Sequence, residues 1–385
     1  MNRDSFSKVA DSLYFAEFPA IDFVRAETVA RKRFNPPSPM SCTVVRKGDF
    51  VGRNCDWYIN DSEVLVSRVK SSPGSYGFLA LTGFGFKQQE IGCGGEESIA
   101  SLAAYMIDGC NERGLVICSN ATATGLTSRN PSLRSPRRWG LGAAYSRKDG
   151  EKMCSALMVS LLLSKAASVE EALNLVGQYS WYDPVSYLTK DKPCSFQWML
   201  ADEHRCAVLE FIDNKMEVSE TTLLEAPSFA TVMTNFSNKL WSEGIMQNPA
   251  QGYERFDQVF RRYPLIPDTD IGMKELLYGV RFSLKYRKTI DDPDFFATDY
   301  VFSPTSDGRT FSTEQLYTRS VCSDPDFERV VNKAKADFFN RDLWFSPDYR
   351  ESHTAYTSVY SISSRSLSVR LFEGEEGQVW HVFHL

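Results

Sequence analysis

Cys42-Thr43-Val44-Val45-Arg46-Lys47-Gly48-Asp49-Phe50-Val51-Gly52-Arg53-Asn54-Cys55-Asp56-Trp57 is the stretch on which the fold of this chain turns. A cysteine opens a short run of β-branched residues, a turn follows at Gly48-Asp49, and the next apolar run ends in a clustered Arg, Asn and Asp. That layout can bring a nucleophile, a cation and a carboxylate together.

Upstream, residues 1 to 41 read as a helix-prone lead-in, with Ala20 to Arg33 alternating apolar and charged residues. It closes with Phe34-Asn35-Pro36-Pro37-Ser38-Pro39, whose prolines force an extended path and make a flexible junction before Cys42. Neither a membrane span nor an orthodox signal peptide is visible there, so the expectation is a cytoplasmic protein.

Downstream, Val64 to Val69 and Phe78 to Thr82 read as further strands. Ala103 to Asp108 and Leu115 to Asn120 read as a hairpin around Asn111-Glu112-Arg113-Gly114. In Met153 to Lys165 the apolar positions 154, 157, 158, 161 and 162 make a helical stripe. Ser168 with Glu171 forms a capping box for a second helix through Leu175. Phe196 to Ala201 and Ala207 to Phe211 read as a hairpin, and Phe229 to Met233 as a strand. Helices are expected at Tyr253 to Arg262, Met273 to Arg281 and Phe327 to Phe339, with closing strands at Ala355 to Ser361, Ser366 to Leu371 and Val379 to Phe383. Strands, a helical block, strands, helices and strands again indicate an α+β domain, most simply two antiparallel sheets face to face with helices outside. Its boundaries are 42–385, preceded by a pro-segment or extension at 1–41.

Composition narrows the function. An apolar fraction of 43% with 24% charged residues is that of an ordinary globular protein. A net charge of -6, from 43 basic and 49 acidic residues, argues against a nucleic-acid surface. The one dense basic cluster, Arg134-Ser135-Pro136-Arg137-Arg138, reads as a solvated loop. Nine cysteines contain no CxxC pair, and reduced, mostly buried thiols are the simplest reading. The four histidines show no HExxH spacing, so neither a metal nor a cofactor is expected. Gly83-Phe84-Gly85-Phe86-Lys87-Gln88 lacks the GK[ST] ending of a phosphate loop.

A cysteine hydrolase without an obvious histidine needs another base. The α-amino group of an N-terminal nucleophile, with an unperturbed pKa of about 7.7–8.0, supplies one. This requires Cys42 to become the first residue by loss of the preceding 41.

Cys42-Thr43, Gly52-Arg53-Asn54-x-Asp56-Trp57, Asn111-Glu112-x-Gly114-Leu115, Gln197-Trp198 to Glu210, Thr234-Asn235 and Glu254-Arg255-Phe256 occur in the order seen in the choloylglycine hydrolase family. The chain therefore resembles that family of bile salt hydrolases and penicillin V acylases, within the N-terminal nucleophile hydrolases. The resemblance runs from Cys42 essentially to the C-terminus. It implies a four-layer αββα sandwich and hydrolysis of linear, non-peptide C–N amide bonds through an acyl-enzyme on Cys42. On their own chemistry, Arg53 can lower the thiol pKa, Asp56 can orient the α-ammonium, and Asn235 offers an amide donor to the oxyanion. The resemblance further implies Arg255 as a second active-site arginine and Asn120 as the strand-end asparagine, one residue earlier than in the bile salt hydrolase pattern. Cys55 reads as a side chain on the face opposite its neighbours.

The lead-in is the departure from the family, whose bile salt hydrolases lose little more than the initiator Met. Enzymes of the acid ceramidase and isopenicillin N acyltransferase type carry longer pro-segments, removed autocatalytically. Met40 as the true start is the other reading. The expected partner is a small-molecule amide, with a homo-oligomer, dimer or tetramer, left open. An acyltransferase using the same acyl-enzyme, and a non-enzymatic binding protein on the same scaffold, are the alternatives.

Overall fold

The computed structural model describes residues 6–33, 42–58, 63–83, 104–121, 150–183, 185–186, 192–193, 196–242, 252–280, 283–285, 351–371 and 379–385. In chain order the strands are β1 (Ser7–Ala10), β2 (Leu13–Phe18), β3 (Thr43–Lys47), β4 (Phe50–Tyr58), β5 (Val64–Val69), β6 (Phe78–Gly83), β7 (Asp108–Asn111), β8 (Val116–Ala121), β9 (Lys152–Cys154), β10 (Ser180–Tyr182), β11 (Val185–Ser186), β12 (Lys192–Pro193), β13 (Phe196–Ala201), β14 (Cys206–Ile212), β15 (Lys215–Thr221), β16 (Val232–Met233), β17 (Ser283–Lys285), β18 (Glu351–Ser361), β19 (Ser366–Leu371) and β20 (His381–His384). The helices are α1 (Phe23–Arg33), α2 (Met158–Lys165), α3 (Val169–Val176), α4 (Asn238–Ser242), α5 (Gly252–Arg262) and α6 (Asp270–Gly279).

Two large sheets organise these elements. The first runs β1-β2-β5-β6-β7-β8-β13-β14-β15, and the second β16-β3-β4-β18-β19-β20 with β17 also on β18. All their pairings are antiparallel except β2 with β5, where the lead-in joins the first sheet in parallel.

Three apolar cores separate four layers. Ala26 of α1, Leu161 and Leu162 of α2 and Val169 of α3 share a core with Leu65, Phe78, Ile117 and Trp198 on the outer face of the first sheet. Its inner face, with Val66, Leu81, Val116 and Val208, meets Val44, Val51, Tyr360 and Val369 of the second sheet. Val45 and Val359 on the far side of that sheet pack on Phe256 and Val259 of α5 and Met273 and Leu277 of α6. The order is αββα, an α+β sandwich as expected. Strands covered on both faces need apolar side chains on both, which is why β13 and β14 are buried along their whole length.

Local chemistry sets two of the turns that position the site. Gly48, at φ +52°, supplies the left-handed residue that lets β3 reverse tightly into β4. Gly114, at φ +87°, does the same between β7 and β8. There Asn111 accepts the N–H groups of Arg113 and Leu115 on Oδ1 and donates Nδ2 to the carbonyls of Leu163 and Ala166. It ties the loop to the C-terminal end of α2, whose last carbonyls lack partners within the helix.

The structure differs from the sequence reading at several elements. Among the described residues of the lead-in, 23–33 are helical, whereas Ser7–Ala10 and Leu13–Phe18 are strands. Three of the four β1 residues face solvent, so no alternation marks it. The expected helix from Met153 begins at Met158, because Lys152–Cys154 pairs in parallel with β10 and a short 3-10 turn follows. The first strand of the β7–β8 hairpin starts at Asp108 rather than Ala103. β15 completes a third strand after the Phe196–Phe211 hairpin. At the capping box, Ser168 Oγ accepts the Glu171 N–H, while the Glu171 carboxylate reaches the Ala167 N–H. The proline junction at 34–39, the 84–98 and 125–139 insertions, the basic cluster at 134–138, Cys93, Cys194, Cys322 and the helix expected at 327–339 lie outside the described residues. No helix among the described residues is long and apolar enough to cross a membrane.

Candidate active site

The sequence-predicted residues converge where β3, β4, β8, the segment after β16 and α5 meet. Cys42 stands just before β3, and its side chain is buried in the core between the sheets. Residues i and i+2 share a strand face, so Arg53 and Cys55 of β4 point to the same core while Asn54 and Asp56 point to the helices. Arg53 Nη2 donates to Cys42 Sγ at 3.3 Å.

On the helix side a second network surrounds the main chain of Cys42. Its N–H donates to Asn235 Oδ1 at 2.7 Å. Arg255 Nη2 donates to the same oxygen at 2.9 Å, and Arg255 Nη1 to Thr43 Oγ1 at 2.9 Å and Asp56 Oδ2 at 3.0 Å. The other Asp56 oxygen accepts from Thr354 Oγ1 at 2.7 Å. Asp56, Asn235 and Arg255 thus form one buried cradle around the Cys42 nitrogen, with the thiol on the opposite side of the strand.

Asn120, the penultimate residue of β8, lies on the face of Val116 and Cys118, which is aimed at the second sheet. Its Nδ2 lies 3.4 Å from the Cys42 carbonyl oxygen and 3.2 Å from that of Thr234. Its Oδ1 is buried without a hydrogen-bond partner among the described residues. Gln197, opposite Asn120 in the β8–β13 register, also donates to the Thr234 carbonyl, so two side-chain amides hold the segment that carries Asn235.

Three participants were missed in the sequence. Asp108, the first residue of β7, forms a fully buried ion pair with Arg53, Nη1 to Oδ2 at 3.1 Å. Tyr360, Tyr356 and Ser358 of β18 donate to the same carboxylate. A buried guanidinium needs such partners, because an unpaired charge in a low-dielectric core is strongly disfavoured. Thr43 and Thr354 are the others, each satisfying one end of the Asp56–Arg255 pair. The only signal for Asp108 was an acidic residue closing the apolar run Ala103 to Ile107, three positions before Asn111.

The electrostatics follow from this layout. Burial by itself pushes the Cys42 thiol up; hydrogen bonds from Cys55, Arg53 and the Asp56 main chain, with the Arg53 charge, outweigh it and bring the thiol down to about 6. The Arg53 guanidinium, facing the Cys42 sulfur and the Asp108 carboxylate, stays protonated. Burial pushes the Asp56 carboxyl up to about 8 against the opposing pull of Arg255. Burial also raises Asp108, opposed first by Arg53 and then by the tyrosine hydroxyls. The arrangement can present a thiolate next to a cation, a side-chain amide acceptor at the adjacent main-chain nitrogen, and a side-chain amide donor at the Cys42 carbonyl oxygen.

No family model matches the chain, and no curated protein does. Among solved structures it is similar to a mutant of conjugated bile acid hydrolase from Clostridium perfringens, at 13% identity and TM-score 0.42 over 90% of this chain and 92% of that one. It is also similar to another variant of that hydrolase, at 12% identity and TM-score 0.43 over 89% and 92% of the two chains. A further similar structure, with 13% identity and TM-score 0.35 over 86% and 82%, is penicillin V acylase from Agrobacterium tumefaciens.

Proposed function

We propose that the protein is a cysteine N-terminal nucleophile amidohydrolase that cleaves linear, non-peptide C–N amide bonds of N-acylated amines or amino acids, after the Ser41–Cys42 peptide bond is cut. The observation that carries this reading is the position of Cys42 between two networks. Its sulfur lies on Arg53, and its main-chain nitrogen lies on Asn235 beside Asp56 and Arg255.

Once the bond to Ser41 is broken, that nitrogen is an α-amine, a base near neutrality. Asn235 Oδ1 accepts from it, and the Asp56 carboxylate, once ionised, offsets the Arg255 charge beside it. The Cys42 thiolate attacks the substrate carbonyl carbon, and the oxyanion meets the side-chain amides of Asn120 and Asn235. Loss of one such donor typically costs about 10²–10³ in rate. The C–N bond breaks, the α-ammonium protonates the departing amine, and a thioester remains on Cys42. Water then attacks the thioester, the α-amine takes its proton, and the acid leaves with the thiolate regenerated. Processing uses the same nucleophile: the Cys42 sulfur attacks the Ser41 carbonyl carbon, the Ser41–Cys42 C–N bond breaks as the Cys42 nitrogen takes a proton, and water hydrolyses the resulting thioester to release the Ser41 carboxyl group and the thiol.

The test combines intact-mass and N-terminal analysis with a panel of conjugated bile acids, penicillin V, N-acyl homoserine lactones and fatty-acid amides. The expected result is an N-terminus at Cys42 with release of free amine. Cys42→Ala is expected to leave the chain intact and inactive. A fully active chain with Met1 still attached defeats the proposal.

A further inference from the structure

We infer that Cys55 is a built-in partner for oxidised Cys42: a peroxide converts the Cys42 thiolate to a sulfenic acid, and Cys55 closes a reversible Cys42–Cys55 disulfide across β3 and β4. The consequence for activity rests on the proposed nucleophile; the disulfide itself does not.

Strand register carries the inference. Thr43 is paired with Asn54, so one further step sets Cys42 opposite Cys55. Directly opposed residues of an antiparallel pair share a face, with Cα atoms about 4.5 or 5.5 Å apart. That separation lies inside the span of about 4.4–6.8 Å that a disulfide bridges. The two thiols lie close enough for each to shift the other, Cys55 lowering Cys42 and Cys42 raising Cys55. Both side chains are buried, at 0% and 2% exposure, in the core between the sheets, which favours closure within the chain over capture by a bulky soluble thiol.

Chemistry selects this pair among the thiols. Peroxides react with thiolates rather than thiols. Cys42 is the one thiol among the described residues that its surroundings lower, whereas burial pushes Cys110 and Cys206 up to about 12 and raises Cys118 and Cys154 as well. Cys55 is itself held in the thiol form, by burial first and then by the neighbouring Cys42. Once Cys42 becomes a neutral sulfenic acid, that contribution disappears, and the Arg53 charge favours the Cys55 thiolate.

The steps balance. The Cys42 thiolate attacks one peroxide oxygen, the S–O bond forms, the O–O bond breaks, and the second oxygen leaves as alcohol or water after taking a proton. Cys55 then attacks the Cys42 sulfur, the S–S bond forms, the S–O bond breaks, and the leaving hydroxide departs as water with the Cys55 proton. Two electrons pass from the two thiols to the peroxide. A soluble dithiol reverses the change, and the bridge keeps Cys42 from the sulfinic and sulfonic states that are not recovered.

The experiment treats the full chain, as purified, with hydrogen peroxide, in wild type, Cys55→Ala and Cys55→Val; the second variant fills the site should the first fail to fold. Peptide mapping without reductant is the primary readout, and amide hydrolysis normalised to each untreated protein is the second. In wild type we expect one peptide pair joining Cys42 to Cys55 with the loss of two hydrogens, and a loss of activity that dithiothreitol restores. In both variants Cys42 gains two or three oxygens and the lost activity does not return. Over-oxidation of wild-type Cys42 as rapid as in the variants, or a bridge elsewhere such as Cys110–Cys118, overturns the inference. Absence of amide hydrolysis in untreated protein counts against the amidase reading alone, because the mapping still decides the disulfide.

Discussion

Arg53 stands between two buried groups of opposite need. One nitrogen serves the Cys42 sulfur at 3.3 Å and another the Asp108 carboxylate at 3.1 Å. Replacing it by alanine removes a charge and a hydrogen bond that hold the thiol down, while the burial that raises it remains. In Arg53→Ala the midpoint of the pH dependence of iodoacetamide alkylation at Cys42 should therefore move upward from about 6. An unchanged midpoint would sink the assignment. Asp108→Asn keeps the shape but leaves the guanidinium without its counter-ion, and breaking a buried pair costs about 3–5 kcal/mol. Urea unfolding should show that loss, together with an upward-shifted alkylation profile from a guanidinium no longer held in place; a variant as stable as wild type would speak against the pair. Cys42, Arg53 and Asp56 were legible as chemistry because they lie within one hairpin, whereas Asp108 was not, because nothing in β7 announces which strand will cover it.

At the scale of elements, the lead-in is built into the sandwich. β2 pairs with β5 through six residue pairs, from Leu13–Val64 to Phe18–Val69. Phe6, Ala16, Phe18, Ala26 and Ala30 join the outer core, and Glu27 accepts the Cys154 N–H at 2.7 Å and the Tyr182 hydroxyl at 2.8 Å. Cutting the chain before Cys42 breaks none of these contacts. We expect the severed segment 1–41 to stay bound, seen as two masses under denaturing conditions and one species on native size exclusion. A chain of residues 42–385 made alone would expose β5 as an unpaired edge and is expected to aggregate. Soluble, fully active 42–385 without the segment would refute this. Leu13→Ala, at a fully buried position, should cost about 2–5 kcal/mol. The helical half of this segment was readable from its composition; the strand pair was not, since an edge hairpin with three exposed β1 residues lacks the alternation that marks a half-buried strand.

Across the whole molecule, the sandwich buries polar groups in layers that must each be satisfied, and pH acts on them through that burial. Glu210 of β14 is pushed up to about 7, by desolvation first, while Ser237 and the N–H groups of Asn238 and Lys239 hold its carboxylate and Glu217 across the β14–β15 pair opposes it. Its folded value exceeds the unfolded one, so the native state binds this proton more tightly. The contribution is complete below about 4.3 and is lost as pH rises toward 7. Glu210→Gln keeps an acceptor for Lys239 without the charge. Its thermal midpoint relative to wild type should improve between pH 5 and pH 8, and a difference that stays flat would exclude the effect. The sequence by itself determined the α+β class, most strand positions after Cys42, and the placing of Cys42, Arg53 and Asp56 on one hairpin, because those rest on local turn chemistry and short-range periodicity. Only the tertiary structure decided that Asn235, Asn120 and Asp108 gather around Cys42 and Arg53, and that Cys55 lies beside Cys42. It also decided that the lead-in completes the first sheet. These neighbours come from strand register and sheet stacking over separations of 55 to 193 residues for the hydrogen-bonded pairs, and no local pattern encodes them.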